Sequence, residues 1–510
     1  MTSSVQDILD VLSPDAEKSL SFLAVPPYLD DGLAAGILVK SGLANGNAPE
    51  LIEEIRSFPI WHEKSRTDWG IDDDVRDYVL SKLNGSAEST RCRVLDALRK
   101  IERPPSPTDS LHEFDLQLAR LSLTVEQEQQ SGIAVLRQFF NLHHDETSRV
   151  VDLYIDESLP AEVPAGRSLP DHLQSAYFMR GHYAYKNKQF KTALRFLEPV
   201  WKRRSGSPES CHDAAIAAHL VGLMWSRESR RQRDAENAYR ESLELGKADS
   251  HHKAQVWHSL GNLLSKNRQR GKEAEDAYRK SLELLERTGD QFGQAQVWHS
   301  LGNLLSKNRQ RGKEAEDAYR KSLVLLERIG DQFGQAQVWH SLGNLLSKNR
   351  QRGKEAEDAY RKSLVLEERN GNVFGQAQVW HSLGNLLSRN RRLQEAEDAY
   401  RKSLELGKDN LYHQAQVWHS FANFLSKDKK RWPEAEELYQ KSYAFLHKSG
   451  DRWGVAMVSS SFGRLLLRKG DYDQAEHWLR ISFEANAKND FYRDKIAVLL
   501  EEVALKKAGR

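Results

Sequence analysis

From residue 254 onward, apolar positions recur with the period of helices, in paired stripes that return again and again. Trp257, Leu260, Gly261 and Leu264 share one face of a first helix; Ala274, Ala277, Tyr278, Ser281, Leu282 and Leu285 follow at i, i+3, i+4 spacing on a second. Between them the polar stretch Lys266-Asn267-Arg268-Gln269-Arg270-Gly271-Lys272 is a surface turn. The whole unit then repeats. Trp257 returns as Trp298, Trp339, Trp380 and Trp418, at steps of 41, 41, 41 and 38 residues. A period of this size predicts an α-solenoid, because a single helical hairpin is too small to bury its own apolar face and does so against its neighbours.

Upstream the pattern is different. Ser13-Pro14-Asp15-Ala16-Glu17 has the form of a helix start, a serine cap with proline at the first helical position, and Leu20 and Leu23 supply the buried face. A second helix is expected over 31–38, and a third from Pro49, with Leu51, Ile52 and Ile55 on one side. Ile60-Trp61-His62 and Trp69-Gly70-Ile71 suit two short strands, and residues 72–83 resume as a helix. Arg103-Pro104-Pro105-Ser106-Pro107 cannot continue a helix and marks the clearest boundary. The expected organisation is a head over 1–102, a Pro-rich linker over 103–108 and irregular helical hairpins over 109–170. Degenerate repeat units follow over 171–250, near-identical units over 251–450, and a last unit with capping helices over 451–510.

Two family resemblances rest on these residues. Trp257-x-x-Leu260-Gly261-x-x-Leu264 followed by Ala274-x-x-x-Tyr278 resembles the tetratricopeptide signature. Gly261 to Ala274 spans 13 residues where the 34-residue family has 12, and the second helix is longer; in both respects the array resembles the kinesin-light-chain and LGN type. That resemblance implies an all-α, right-handed superhelix. Three helices, a hairpin wing and a closing helix that carries Val75-Arg76-Asp77-Tyr78 resemble the winged helix following the ATPase core of STAND-class NTPases. No G-x-x-x-x-G-K-[ST] is present to cradle a phosphate, so the NTPase core is absent and no nucleotide or other cofactor is expected. The helix that would read DNA, Pro49 to Arg56, carries three acids against one base, which argues for docking or end-capping.

By the tetratricopeptide resemblance, the inner wall of the superhelix is lined by fixed positions of each first helix. These are Gln255, His258 and Asn262, then Gln296, His299 and Asn303, then Gln337, His340 and Asn344, then Gln378, His381 and Asn385, then Gln416, His419 and Asn423. The last unit departs with Met457, Ser460 and Arg464, and His219 extends the pattern one unit back. Carboxamides carry both donor and acceptor, so this ladder suits an extended segment of another protein. The tryptophans read as interhelix core. A second candidate is the basic edge formed by the turns: Lys266, Arg268 and Arg270, then Lys307, Arg309 and Arg311, then Lys348, Arg350 and Arg352. Nucleic acid is the alternative partner this edge would attract. Glu273, Glu275 and Asp276 answer it at once, however, and no aromatic residue interleaves with the bases, so a solvated face is the stronger reading.

Composition narrows the class. With 39% hydrophobic and 29% charged residues, mean hydropathy −0.68 and no long apolar run, the sequence predicts a cytoplasmic protein without a membrane partner. Residues 1–100 hold 11 basic against 17 acidic residues, so the head is acidic and the remainder carries +8. Two cysteines, Cys92 and Cys211, build neither a disulfide framework nor a zinc site. Successive histidines of the ladder are expected a helix pair apart, on the order of 20 Å from helix separations of 8–10 Å, too far to share a metal. No catalytic motif occurs. The reading is a non-enzymatic scaffold or sensor that captures a partner protein in a groove and regulates a separate effector, in a STAND-like signalling or bacterial defence setting.

Overall fold

The spacing between the glycine of each first helix and the alanine of the second decides how the chain turns. In the computed structural model, a span of 13 residues, as from Gly302 to Ala315 or Gly343 to Ala356, is accommodated by a one-turn 3-10 helix, Arg309–Arg311 or Arg350–Arg352. The side chain of Asn308 or Asn349 opens that turn by accepting from the backbone N–H two residues on. Where the span is 12, from Gly181 to Ala193, Gly384 to Ala396 and Gly463 to Ala475, the 3-10 turn disappears. A residue with positive φ closes the hairpin instead: Lys188 at 61°, Arg391 at 63°, Gly470 at 87°. The one-residue excess over the shorter repeat is thus spent entirely in the turn.

The structure describes residues 169–509 apart from 247, 248 and 487–489. Before them it describes 31–56 without 42 and 45, then 61–63 and 69–71, and the isolated positions 13, 14, 16, 19, 20, 94, 133 and 137. By contact density the chain divides into two units, Met1–Leu263 and Leu264–Arg510.

In the first unit Ser13 caps its helix as the sequence predicts, its Oγ accepting from the N–H of Ala16 at 3.2 Å while donating to Glu54 at 3.0 Å. Helix α1 (Asp31–Lys40) packs on α2 (Ala48–Arg56), whose Leu51, Ile52 and Ile55 are buried, and strands β1 (Trp61–Glu63) and β2 (Trp69–Ile71) pair antiparallel with Trp61 opposite Ile71. The closing helix expected at 72–83, Val75-Arg76-Asp77-Tyr78 and the linker at 103–108 lie outside the described residues. Hairpins α3 (Asp171–Lys186) with α4 (Phe190–Lys202) and α5 (Pro208–Trp225) with α6 (Gln232–Leu245) follow, then α7 (Ser250–Leu264).

The second unit is a run of helical hairpins: α8 (Gly271–Thr288), α9 (Gln291–Leu305) with α10 (Gly312–Ile329), α11 (Gln332–Leu346) with α12 (Gly353–Arg369), and α13 (Val373–Arg389) with α14 (Leu393–Leu406). Then come α15 (Leu411–Leu425) with α16 (Trp432–Lys448), α17 (Arg452–Lys469) with α18 (Tyr472–Ala485), and α19 (Asp490–Ala508). Within each hairpin except α15 with α16, where Ala422 takes the equivalent position, the first helix, A, crosses the second, B, at a glycine, because a Cβ on Gly302 or Gly343 would stand 2.6 Å from the ring of Tyr319 or Tyr360. A buried serine of B closes the pair by donating to a carbonyl of A: Ser322 to Ala295 at 2.7 Å, Ser363 to Ala336 at 2.8 Å, Ser403 to Ala377 at 2.7 Å. The core that results is one continuous cluster of Tyr319, Leu342, Tyr360, Leu383, Tyr400 and their equivalents. The tyrosines are fully buried. The tryptophans are the half-buried rim of this core, and Trp298 and Trp339 each carry a lysine ammonium over the ring, Lys321 at 4.2 Å and Lys362 at 4.3 Å.

Candidate functional site

Each A helix divides its polar residues between repeat-to-repeat joints and solvent. The histidines belong to the joints. His299 Nε2 lies 2.9 Å from Ser341 Oγ of the following A helix, His340 2.8 Å from Ser382, His381 2.8 Å from Ser420 and His419 3.0 Å from Ser461; in the first unit His219 makes the same contact with Ser259 at 2.9 Å. Burial pushes their imidazoles far below the ordinary range, to about 4 for His299, His340 and His419 and to about 3 for His219 and His381. The 20 Å separation expected from the sequence is corrected by these bonds: consecutive A helices lie close enough for His299 Nε2 to reach Ser341 Oγ at 2.9 Å. The histidine is thus a half-buried, neutral strut between units that keeps part of its ring surface in solvent. Among the described residues no cluster of three or more His, Cys, Asp or Glu is placed to hold a metal.

The carboxamides behave differently. Gln296, Gln337, Gln378 and Gln416 are exposed. Asn303 and Asn344 are exposed as well, and Asn385 and Asn423 half-exposed, yet each is fixed in direction by the buried tyrosine of its own hairpin. Tyr319 Oη donates to Asn303 Oδ1 at 2.8 Å, Tyr360 to Asn344 at 2.8 Å, Tyr400 to Asn385 at 2.9 Å and Tyr439 to Asn423 at 2.8 Å. The carbonyl faces its own repeat, and the planar amide therefore turns its NH2 the other way. This tyrosine link is what sequence reasoning missed, although the invariant spacing of 15 or 16 residues between Asn and Tyr is visible in every copy.

The first rung, Gln255, His258 and Asn262, lies on α7, with Gln255 and Asn262 exposed and Gln255 Nε2 3.0 Å from His251 Nε2.

The basic edge is used up from within. Arg311 grips Glu275 of the preceding hairpin at 2.5 Å and Glu314 of its own at 2.5 Å; Arg352 does the same with Glu316 and Glu355, both at 2.5 Å. Arg392 repeats the pattern with Glu357 and Glu395, and Arg431 with Glu397 and Glu434. The guanidinium bonds hold the Glu275 and Glu316 carboxyls down to about 2 and raise the arginines above their ordinary value. Lys307 Nζ donates to the Ser265 carbonyl at 2.9 Å and Lys348 to that of Ser306 at 2.7 Å, capping the exposed end of the preceding A helix. Arg270 pairs with Glu273 at 2.6 Å. Arg268, Arg309 and Arg350 are exposed, with no ion pair among the described residues; Lys266 is exposed too. Of the basic edge, Arg270, Arg311 and Arg352 are held in internal salt bridges, while Arg268, Arg309 and Arg350 stay on the solvated face.

Residues 334–409 and 413–486 match the tetratricopeptide repeat family. These units are tetratricopeptide repeats. A search among curated proteins found no sequence match. Among solved structures, the apo form of the quorum sensor NprR from B. thuringiensis superposes with a TM-score of 0.51 at 13% identity, over 73% of this chain and 97% of that one. A STAND protein with a tetratricopeptide repeat sensor from Pyrococcus horikoshii gives 0.48 at 15% identity, over 98% of this chain and 66% of that one. The chain therefore spans just under two thirds of that protein's length. The repeat match and the likeness to NprR fix the fold, a tetratricopeptide α-solenoid. Among the described residues no helix is long and apolar enough to cross a membrane.

Proposed function

We propose that the chain is a non-enzymatic scaffold or sensor that captures a segment of a partner protein along the carboxamide row of its A helices, and thereby regulates a separate effector. The observation that carries this reading is the exposed row itself. Gln296 and Asn303 stand seven residues apart on one helical face, the same pair recurs on α11, α13 and α15, and the asparagines are oriented by buried tyrosines instead of left to rotate. Pre-oriented hydrogen-bonding groups lose less freedom on binding, which is what a recognition surface gains from such support. NprR is a quorum sensor, and the Pyrococcus protein a STAND ATPase with a tetratricopeptide repeat sensor. A sensing role beside a partner that supplies the response, in a signalling or bacterial defence setting, is consistent with both. The strands of the head, β1 and β2, fit the wing of a winged helix, and the acidic α2 favours protein docking there over DNA.

Affinity purification from the native host, with the captured partner identified by mass spectrometry and its affinity then measured, tests the reading. Replacing Gln296, Gln337 and Gln378 with Ala removes exposed side chains and leaves the tyrosine links in place; the affinity should drop by at least tenfold while helicity and Tm stay put. A captured partner that binds the triple variant as tightly as the parent would refute the row as its site.

A further inference from the structure

One feature of the A helices is absorbed neither by the core nor by the joints. Six residues before each tryptophan position stands a large aromatic: Phe292, Phe333, Phe374, Tyr412 and Trp453. Their exposures fall between 39% and 49%, so each leaves close to half its surface in water in five successive repeats. Scattered exposed aromatics are ordinary, whereas a regular line of them marks a surface that is covered in use. The line is continuous across repeats, since Phe374 meets the ring of His413 on the next A helix edge-on at 5.5 Å and Tyr412 Oη reaches Asp451 at the start of the following one at 3.1 Å.

These aromatics share a face with the carboxamides. Phe292, Gln296, His299 and Asn303 sit at i, i+4, i+7 and i+11, a spacing that holds residues within a narrow stripe of a 3.6-residue helix. In the four repeats from Phe292 to Tyr412 the stripe carries no formal charge; in the fifth, Arg464 stands eleven residues after Trp453. Helices α9, α11 and α15 contain no Asp, Glu, Lys or Arg at all, and α13 none before Arg389, while the B helix α10 alone carries eight. An occupant matched to this face is uncharged and apolar. The asparagine carbonyls are already taken by tyrosine hydroxyls, so the asparagines offer N–H donors and select a partner rich in free carbonyls. The polyproline II conformation leaves every backbone carbonyl without an internal partner.

We infer that the aromatic and carboxamide stripe receives an uncharged, proline-rich segment in the polyproline II conformation, with its apolar side chains on the aromatic line. This inference rests on the proposed capture of a partner segment and specifies its chemistry. Proline suits it by presetting the extended backbone.

The test uses the full chain and three synthetic peptides with repeated triplets: Pro-Pro-Leu, Ser-Gly-Leu with the same leucine spacing but no preset backbone, and Pro-Pro-Glu. Calorimetry should show Pro-Pro-Leu binding at least about tenfold tighter than either other peptide, with little dependence on salt. Exchanging Phe333 and Phe374 for Ser should weaken it by about tenfold or more with circular dichroism unchanged, because both rings are exposed. Equal binding of Ser-Gly-Leu, tighter binding of Pro-Pro-Glu, no binding of Pro-Pro-Leu, or indifference to the Phe exchanges would each overturn the inference. The broader capture reading fails separately, through a native partner whose affinity ignores the glutamine exchanges.

Discussion

Two rows of side chains run through this array, copied with equal fidelity from repeat to repeat, and they have opposite fates. In the turn row, Arg311, Arg352, Arg392 and Arg431 each clamp a glutamate of the preceding hairpin and one of their own, and Lys307 and Lys348 cap helix ends. In the A-helix stripe, the glutamines and the aromatics six residues before each tryptophan position remain turned to solvent. Repetition in sequence reports only that a residue matters to the unit. Whether its hydrogen bonds and charge are already satisfied inside the array is what separates a joint from a surface. The histidines show the distinction within a single rung: flanked by exposed carboxamides, they are themselves half-buried and bonded to the next unit.

Acid should break the joints first, and by the largest margin. A histidine held near 4 in the fold and near 6.5 in the unfolded chain is accepted by the fold only as the neutral form. Its contribution is therefore intact above pH 6.5, declines as pH falls and is fully lost near pH 4, at most about 3 kcal/mol for each. Several such groups act together, so thermal melts followed by circular dichroism should show Tm collapsing between pH 6.5 and 4. Glu275 and Glu316, held near 2, keep their charge through that window, and the turn belt should loosen only below the ordinary carboxylate range. Exchanging His299, His340 and His419 for Gln, which can still bond the facing serine, should move the acid transition to lower pH. An unmoved transition would mean the struts are not what fails.

The next effect is steric. Alanine ordinarily stabilises a helix by about 1 kcal/mol relative to glycine. At Gly343 the added Cβ would meet the Tyr360 ring at 2.6 Å, and Gly343→Ala should instead cost about 1–3 kcal/mol by urea denaturation. A gain in stability would show that the hairpins can separate freely at this crossing.

How much of this was legible in the chain depends on the kind of contact. The period, the paired stripes and the close glycine crossing are local, and Trp257, Gly302 and Tyr319 announce them through spacing alone. The use of the 13th residue as a 3-10 turn was not, since one extra residue says nothing about where it goes until Asn308 is seen capping Gln310. The ladder was read as three equivalent polar positions per rung because a helical wheel gives direction but not distance to the neighbouring unit. His299 and Ser341 are 42 residues apart, and only the stacking brings them to 2.9 Å. The charges misled for the same reason: Arg311 meets Glu275 across 36 residues, whereas sequence shows it beside other bases. The exposed aromatics escaped notice because Phe292 and Phe333 look like core residues in a composition count, and burial is a property of the packed array.

The smallest effects sharpen the comparison most, because they separate two arginines two residues apart in one turn. Arg352 bridges Glu316, whose side chain keeps 14% of its surface exposed, and Glu355 at the surface. Arg352→Met strands a mostly buried carboxylate that retains only Arg320, and should cost about 1–2 kcal/mol, a penalty that narrows at high salt as the lost attraction is screened. Arg350 is exposed with no ion pair among the described residues, and Arg350→Ala should change stability by less than about 0.5 kcal/mol at any salt. Parallel urea titrations at low and high salt decide the matter. If Arg350→Ala proves as costly as Arg352→Met, the turn contributes as a diffuse field of positive charge, and the division between satisfied joints and open surface loses its footing along this edge.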